Sequence, residues 1–225
     1  MKTGALSLLL LAVGCVLLAE RPALAWGLRS DGTWKALHCD GNEWLRPEFD
    51  DSSWPDALAP NPATNGTMVG MQWVKLSGAL SLWDAGSKDW VCARKAFDLS
   101  ELPGKATLRV CVDDDYFLYV NGVQIGRNED CNVSYEGETY DITNRLVRGR
   151  NVVAIKAIDC GGEHGVVVVG TFIDAATALS VQAMDAEEHA RRREWWLAGI
   201  AAAEALALLL LLSLLAHLRR TSSFS

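Results

Sequence analysis

Asp113-Asp114-Asp115 is the longest run of carboxylates in the chain, and Asp50-Asp51 is a second grouping. Two carboxyls facing each other across about 5 to 9.5 Å could hydrolyse a glycosidic bond, one as acid and the other as nucleophile or base. The triple-Asp run, with Asp130 and Asp159, also offers hard oxygen ligands of the kind calcium takes. Nothing in the spacing makes those groups converge, so no metal site is assigned and no cofactor is expected. His38, His164, His189 and His217 form no close ligand pair, and His38-Cys39 is not a zinc pattern. There is no phosphate loop or dinucleotide fingerprint. Sugar recognition is a different chemistry: an aromatic ring meets the C–H face of the sugar, and planar polar groups hold its hydroxyls. Seven tryptophans lie between Trp26 and Trp90. Most are expected in the core, because buried aromatics carry large apolar area. Trp73 and Trp83 fall in the least strand-like stretch, with Asp84, Lys75 and Asn65 near in sequence. Trp73, Trp83 and Asp84 are therefore the expected ligand contacts.

The elements that must position these residues are mostly strands. Trp90 to Phe97 is one candidate. Ala106 to Asp113 alternates, with Leu108, Val110 and Val112 on one side and Thr107, Arg109 and Asp113 on the other. Tyr116 to Val120 and Val123 to Ile125 flank Asn121-Gly122, a strong signal for a tight hairpin because both residues tolerate positive φ. Asn151 to Asp159 and Gly165 to Ile173 complete the set. No strong helical pattern precedes Ala175. Repeated strands without helical crossovers predict an all-β domain, an antiparallel jelly-roll β-sandwich. From Ala175 the chain turns Ala-rich and charged, and a helix is expected. Glu187-Arg191 and Glu188-Arg192 fall at i,i+4 on it.

The chain has 225 residues, 50% of them hydrophobic, and two terminal segments hold the excess. Residues 1–25 read as a signal peptide: Lys2, an apolar run from Ala5 to Ala19, and Ala23-Leu24-Ala25 as the cleavage site. Residues 195–218 supply the roughly 20 apolar positions of a transmembrane helix. Trp195-Trp196 suit one boundary, and His217, Arg219 and Arg220 the other. The expected order is signal peptide 1–25, β-sandwich 26–174, helical stalk 175–194, span 195–218 and cytosolic tail 219–225. That makes a single-pass type I membrane protein with its domain in the extracellular space or secretory lumen. Glu204 is a charge inside the span. It is either a protonated or snorkelling carboxyl or, with Gly199 and Ala203 on a small-residue face, a contact for another membrane protein. With Cys15 removed, Cys39, Cys92, Cys111, Cys131 and Cys160 allow two disulfides and one odd thiol, and the spacing does not choose the pairs. Asn65 and Asn132 open glycosylation sequons, used if the host is eukaryotic. Between Trp26 and Ala190 there are 14 Lys and Arg against 25 Asp and Glu, a formal charge of −11. This excludes a nucleic-acid partner, which needs clustered cations. About 150 residues make one domain and are too few for a large catalytic barrel of about 200 or more.

Six pieces in order carry a resemblance: Phe49-Asp50-Asp51-Ser52-Ser53-Trp54; Arg94 to Leu99; Ala106 to Val110; Asp114-Asp115-Tyr116; Tyr119-Val120-Asn121-Gly122; and Tyr140-Asp141-Ile142-Thr143 leading through Leu146 to Gly149 and Ala154. Over roughly residues 30 to 174 the chain resembles the galactose-binding-domain-like jelly roll. This is the accessory sugar-binding β-sandwich of glycoside hydrolases such as β-galactosidase and rhamnosidase types. The resemblance implies a non-catalytic module in which the acidic clusters are structural loop carboxylates, and it admits a structural calcium. Trp54 would plug one end of the sandwich. The function expected is recognition of a glycan or glycoprotein. The rival reading is a structural subunit of a membrane assembly, docking through the sandwich and the Glu204 helix face.

Overall fold

The computed structural model describes residues 27–64, 66–86, 89–133 and 135–221, with side chains to residue 206. The expected signal peptide, Asn65 and the end of the tail lie outside them. Two compact units part between Thr177 and Ala178.

In the first unit, eight strands form two antiparallel sheets. In chain order they are β1 (Lys35–Leu37), β2 (Trp90–Leu99), β3 (Lys105–Asp113), β4 (Asp115–Val120), β5 (Val123–Asn128), β6 (Glu138–Asp141), β7 (Gly149–Ile158) and β8 (Gly165–Ile173). One sheet runs β1-β2-β7-β4-β5 and the other β6-β3-β8. The predicted strands are all present. The Asn121-Gly122 turn has φ 51° and 80°, the positive values expected of it.

Strand parity explains why β7 and β8 read as unbroken apolar runs. Val153, Ile155 and Ala157 of β7 face Leu108, Val110, Val166 and Val168 of the other sheet in the central core. Their neighbours Val152 and Ala154 point outward and are buried again, under Trp44, Leu45 and Trp54. Trp54 therefore does not plug an end of the sandwich. It covers the outer face of the five-stranded sheet, because Asp51 in its loop pairs with the fully buried Arg94 of β2. The outer face of the smaller sheet, at Cys111 and Val167, is covered by Met68 and Val74. These come from two short helices, α1 (Gly66–Gly70) and α2 (Gln72–Ser77). At five and six residues they are too short to show helical periodicity, which is why none is visible before Ala175.

Cys39 is bonded to Cys92 and Cys131 to Cys160. Cys111 is the odd, buried thiol.

The helix α3 spans Ala175–Thr221, 47 residues without a break. Asp174 caps it, accepting from the Thr177 amide at 2.8 Å and its hydroxyl at 2.7 Å. Those bonds hold the Asp174 carboxyl below the usual range. In the second unit, Glu188 pairs with Arg192 at 2.7 Å. Among the described residues no helix is long and apolar enough to cross a membrane. The side chains of 207–218, half of the expected span, lie outside that description.

Candidate functional site

The structure separates the expected ligand contacts. Trp83 is fully buried, with its ring 4.7 Å from that of His164. It is a core residue and not an exposed platform, because its backbone pairs with Leu58 beneath the loops. Trp73 is half-buried on α2. Its indole N–H donates to the Tyr135 carbonyl at 3.1 Å, and the Arg109 guanidinium lies 4.5 Å from its ring centre. Asp84 joins a different aromatic, as its carboxylate accepts the His38 amide at 3.2 Å.

The acidic clusters are committed elsewhere. Asp50 accepts the Ser52 amide at 3.0 Å, which with its hydroxyl lowers the Asp50 carboxyl. Asp51 is held by Arg94. Asp113, Asp114 and Asp115 are all buried. Asp114 accepts the Cys160 amide at 2.7 Å and Asp115 the Cys131 amide at 2.8 Å. Burial pushes Asp113 up to about 7, helped by its hydrogen bond to Asp114 and the charges of Asp114, Asp159 and Glu163. Asp113 and Asp114 thus share a hydrogen bond, closer than the separation of about 5 to 9.5 Å in a glycosidase pair. Among the described residues no three of these carboxyls bring their oxygens within 4.8 Å of one another. Among the described residues, the one trio with ligand atoms within 4.8 Å is Asp115, Cys131 and Cys160. Both of its sulfurs are locked in the disulfide. On α3, Gly199, Ala203 and Glu204 are exposed, and a Cβ added to Gly199 would meet nothing within 4 Å.

The outer face of the five-stranded sheet holds a group that sequence reasoning missed. The loop over Trp44 and Trp54 covers only part of that face. Beyond it, Phe117 of β4 and Lys156 of β7 are directly opposed, and Lys156 in turn opposes Cys92 of β2. Trp90, two residues before Cys92, points the same way. Phe117, Lys156 and Trp90 are each half-buried, and His38 is exposed. The Lys156 ammonium lies 5.3 Å from the Trp90 ring centre, and the His38 ring packs on it at 4.0 Å, tilted 37°. The Trp90 indole donates to the Cys39 carbonyl at 3.3 Å. The Cys39–Cys92 disulfide thus fixes both sides of the His38–Trp90 contact. On the next strand Arg127 opposes Phe117. The result is a strip of aromatic faces interleaved with an ammonium, an imidazole and, through His38, the Asp84 carboxylate. Period-two reading of β2 would have put Trp90 and Cys92 on one face. Apolar residues on both faces of that strand hid which face opens to solvent.

The class defined so far is an antiparallel two-sheet β-sandwich with both outer faces partly roofed by loops and short helices. It fits the galactose-binding-like accessory module that the ordered motifs imply. No family model and no curated protein matches the chain. Solved structures similar to it include an α-L-rhamnosidase of Streptomyces avermitilis complexed with L-rhamnose, at 21% identity and TM-score 0.40, over 45% of this chain and 11% of that one. Another is a β-glucuronidase of glycoside hydrolase family 2, at 16% identity and TM-score 0.43, over 65% and 18%. A third is a family 2 glycosyl hydrolase of Bacteroides cellulosilyticus, at 16% identity and TM-score 0.45, over 66% and 21%. The chain thus spans about a tenth to a fifth of those chains. The fold reading rests on this chain's own strand order and motif positions.

Proposed function

We propose that this chain is a non-catalytic carbohydrate-recognition protein that binds a glycan or glycoprotein. One observation carries the reading: the Trp90–Lys156–Phe117 strip, with His38 and Asp84 at its edge, stays partly exposed beside the part of the sheet face that Trp44 and Trp54 cover. Aromatic faces there can meet sugar C–H surfaces, and the interleaved polar groups can hold hydroxyls. The proposal includes a membrane address: signal peptide 1–25, a single span over 195–218, and the sandwich on the extracellular or lumenal side. In support, Trp195, Trp196, Leu197 and Leu206 are more than half exposed on α3, as suits a helix with an apolar surrounding.

The test is a glycan array with the purified full chain, beside the Trp90→Ala and Lys156→Gln variants. Binding that falls about tenfold or more in Trp90→Ala, with the melting temperature held, supports the reading. Binding to no glycan overturns it.

The structural-subunit reading is favoured by a different observation. Val69, Val74 and Leu80 line an apolar groove of about 380 Å³, and Leu76 on α2 is 79% exposed. Stable co-purification of another membrane protein, lost in Leu76→Glu, would select it.

A further inference from the structure

At the far end of β7 from Lys156, a second surface has the opposite character to the acidic chain around it. Arg46, Arg145 and Arg150 line one open groove of about 520 Å³, with Glu48 as its only acidic wall. Pro47, Val123 and Val147 supply apolar wall, and the two valines are 44% and 51% exposed. Three arginines against one lining carboxylate make a net positive groove on a sandwich, residues 26–174, of formal charge −8. Among the described residues, the Arg46 and Arg145 side chains form no ion pair. Arg150 donates from Nε to the Pro47 carbonyl at 3.1 Å and feels the charge of Asp50.

The groove is built on a rigid frame. Asn151 is fully buried beneath it. Its amide donates to the carbonyls of Val147 at 2.7 Å and Gly149 at 2.9 Å, and its oxygen accepts the Val147 amide at 2.9 Å. Asn121 joins Asn151 at 2.9 Å and donates to the Arg145 carbonyl at 2.7 Å. The backbone carrying Arg145, Val147 and Arg150 is therefore held by two side-chain amides. The backbone carrying Arg46 is held from inside by the Arg94 guanidinium, at 3.0 Å to the Arg46 carbonyl. Like-charged side chains gathered on a preformed frame gain by binding an anion, and arginine pairs with planar or tetrahedral oxyanions through two parallel bonds.

We propose that this groove binds an acidic saccharide, through a carboxylate or sulfate on the sugar held by Arg46 and Arg145. Val123 and Val147 meet the ring, and Glu48 accepts from its hydroxyls. The inference rests on the carbohydrate reading and adds the ligand's charge and a second place for it.

The full chain is titrated by calorimetry with a sulfated heparin tetrasaccharide, a tri-galacturonate and a neutral oligosaccharide of equal length, at low and high salt. Inorganic sulfate and an acidic peptide serve as further probes. The proposal expects one or both acidic sugars to bind more tightly than the neutral one. It expects a loss of about tenfold or more in Arg46→Gln and in Arg145→Gln, with unchanged melting. It also expects weakening as salt rises. Which acidic sugar binds separates carboxylate from sulfate. If neutral and acidic sugars bind alike, or the arginine variants bind as the parent does, this inference fails and the carbohydrate reading stands. If the acidic peptide or free sulfate binds as well as any sugar, the groove is a general anion site and the proposal is overturned. If none of these sugars binds, this inference fails, and if the array also shows no glycan bound, both fall.

Discussion

Replacing Asp51 with Asn strikes the one ion pair that, among the described residues, ties the Trp44–Trp54 cover to the sandwich. Arg94 has a side-chain exposure of 0% and Asp51 of 16%. The guanidinium also reaches the carbonyls of Arg46 at 3.0 Å and Phe49 at 3.4 Å, and lies 5.2 Å from the Phe49 ring centre. Burial pulls Arg94 below its ordinary pKa, and Asp51 opposes that pull. Removing one partner of a buried pair costs about 3 to 5 kcal/mol, because the other charge is left uncompensated. Two carbonyls and a ring still hold Arg94, and Asp51 is partly wet, so the lower figure applies. For a domain of this size, about 3 kcal/mol lowers the melting temperature by roughly 6 to 12 °C. Near-UV circular dichroism of the full chain follows this melting, since Trp44 and Trp54 pack in the cover beside the pair. Arg94→Met in the Asp51→Asn background removes the stranded charge and should restore part of the loss. An Asp51→Asn protein melting within about 2 °C of the parent would refute the reasoning, since that shift is below 1 kcal/mol.

Other consequences follow from the same contacts. The Cys39–Cys92 bridge closes 53 residues and the Cys131–Cys160 bridge 29. Loop entropy makes them worth about 4.1 and about 3.6 kcal/mol, so paired Cys→Ser variants should lose stability in that order in urea. Asp113 has a folded pKa of about 7, above its ordinary value, so its contribution to stability is full in acid and is lost as pH rises from about 4 to 7. Unfolding midpoints over that range should decline in the parent, and the decline should flatten in Asp113→Asn. Burial pushes the Cys111 thiol up to about 12, with Asp113 adding to the shift. Iodoacetamide followed by mass spectrometry should leave Cys111 unmodified in the native chain and label it only after denaturation.

What the sequence made legible was strand placement, because alternation and turn chemistry are local. The Asn121-Gly122 hairpin and the β8 run from Gly165 to Ile173 needed no tertiary information. Which face of a strand meets solvent was hidden, because Val152 and Val153 are both buried, under different layers. The same fact hid the site. Trp83 and Trp90 lie seven residues apart in a similar setting, yet one pairs under Leu58 and the other begins an open rung. The disulfide partners, separated by 53 and 29 residues, depend on how the loops return over the sheet. Asp84 meets the His38 amide from 46 positions away, a contact that no local spacing predicts. The groove arginines come from segments a hundred residues apart, and Arg150 meets the Pro47 carbonyl only because β7 begins beneath that loop.

The Cys39–Cys92 bond stands where the roofed and open halves of the five-stranded face meet. On one side Cys92 packs with Trp44, Leu45 and Val152. On the other it opposes Lys156, and Trp90 starts two residues away. Because the Cys39 carbonyl also takes the Trp90 indole N–H, the bridge sets how far the roof extends and how the exposed ring is angled. On the proposed function, stability and recognition are then coupled through one crosslink. Reducing it should loosen the Trp44 cover and release His38 from the Trp90 ring together. A Cys39→Ala/Cys92→Ala chain studied below its melting temperature separates the two effects. If the strip is the sugar site, its binding falls while the Arg46–Arg145 groove, framed by Asn121 and Asn151, keeps its affinity. Equal losses at both surfaces would mean that the bridge acts on the whole sandwich and the strip has no special dependence on it.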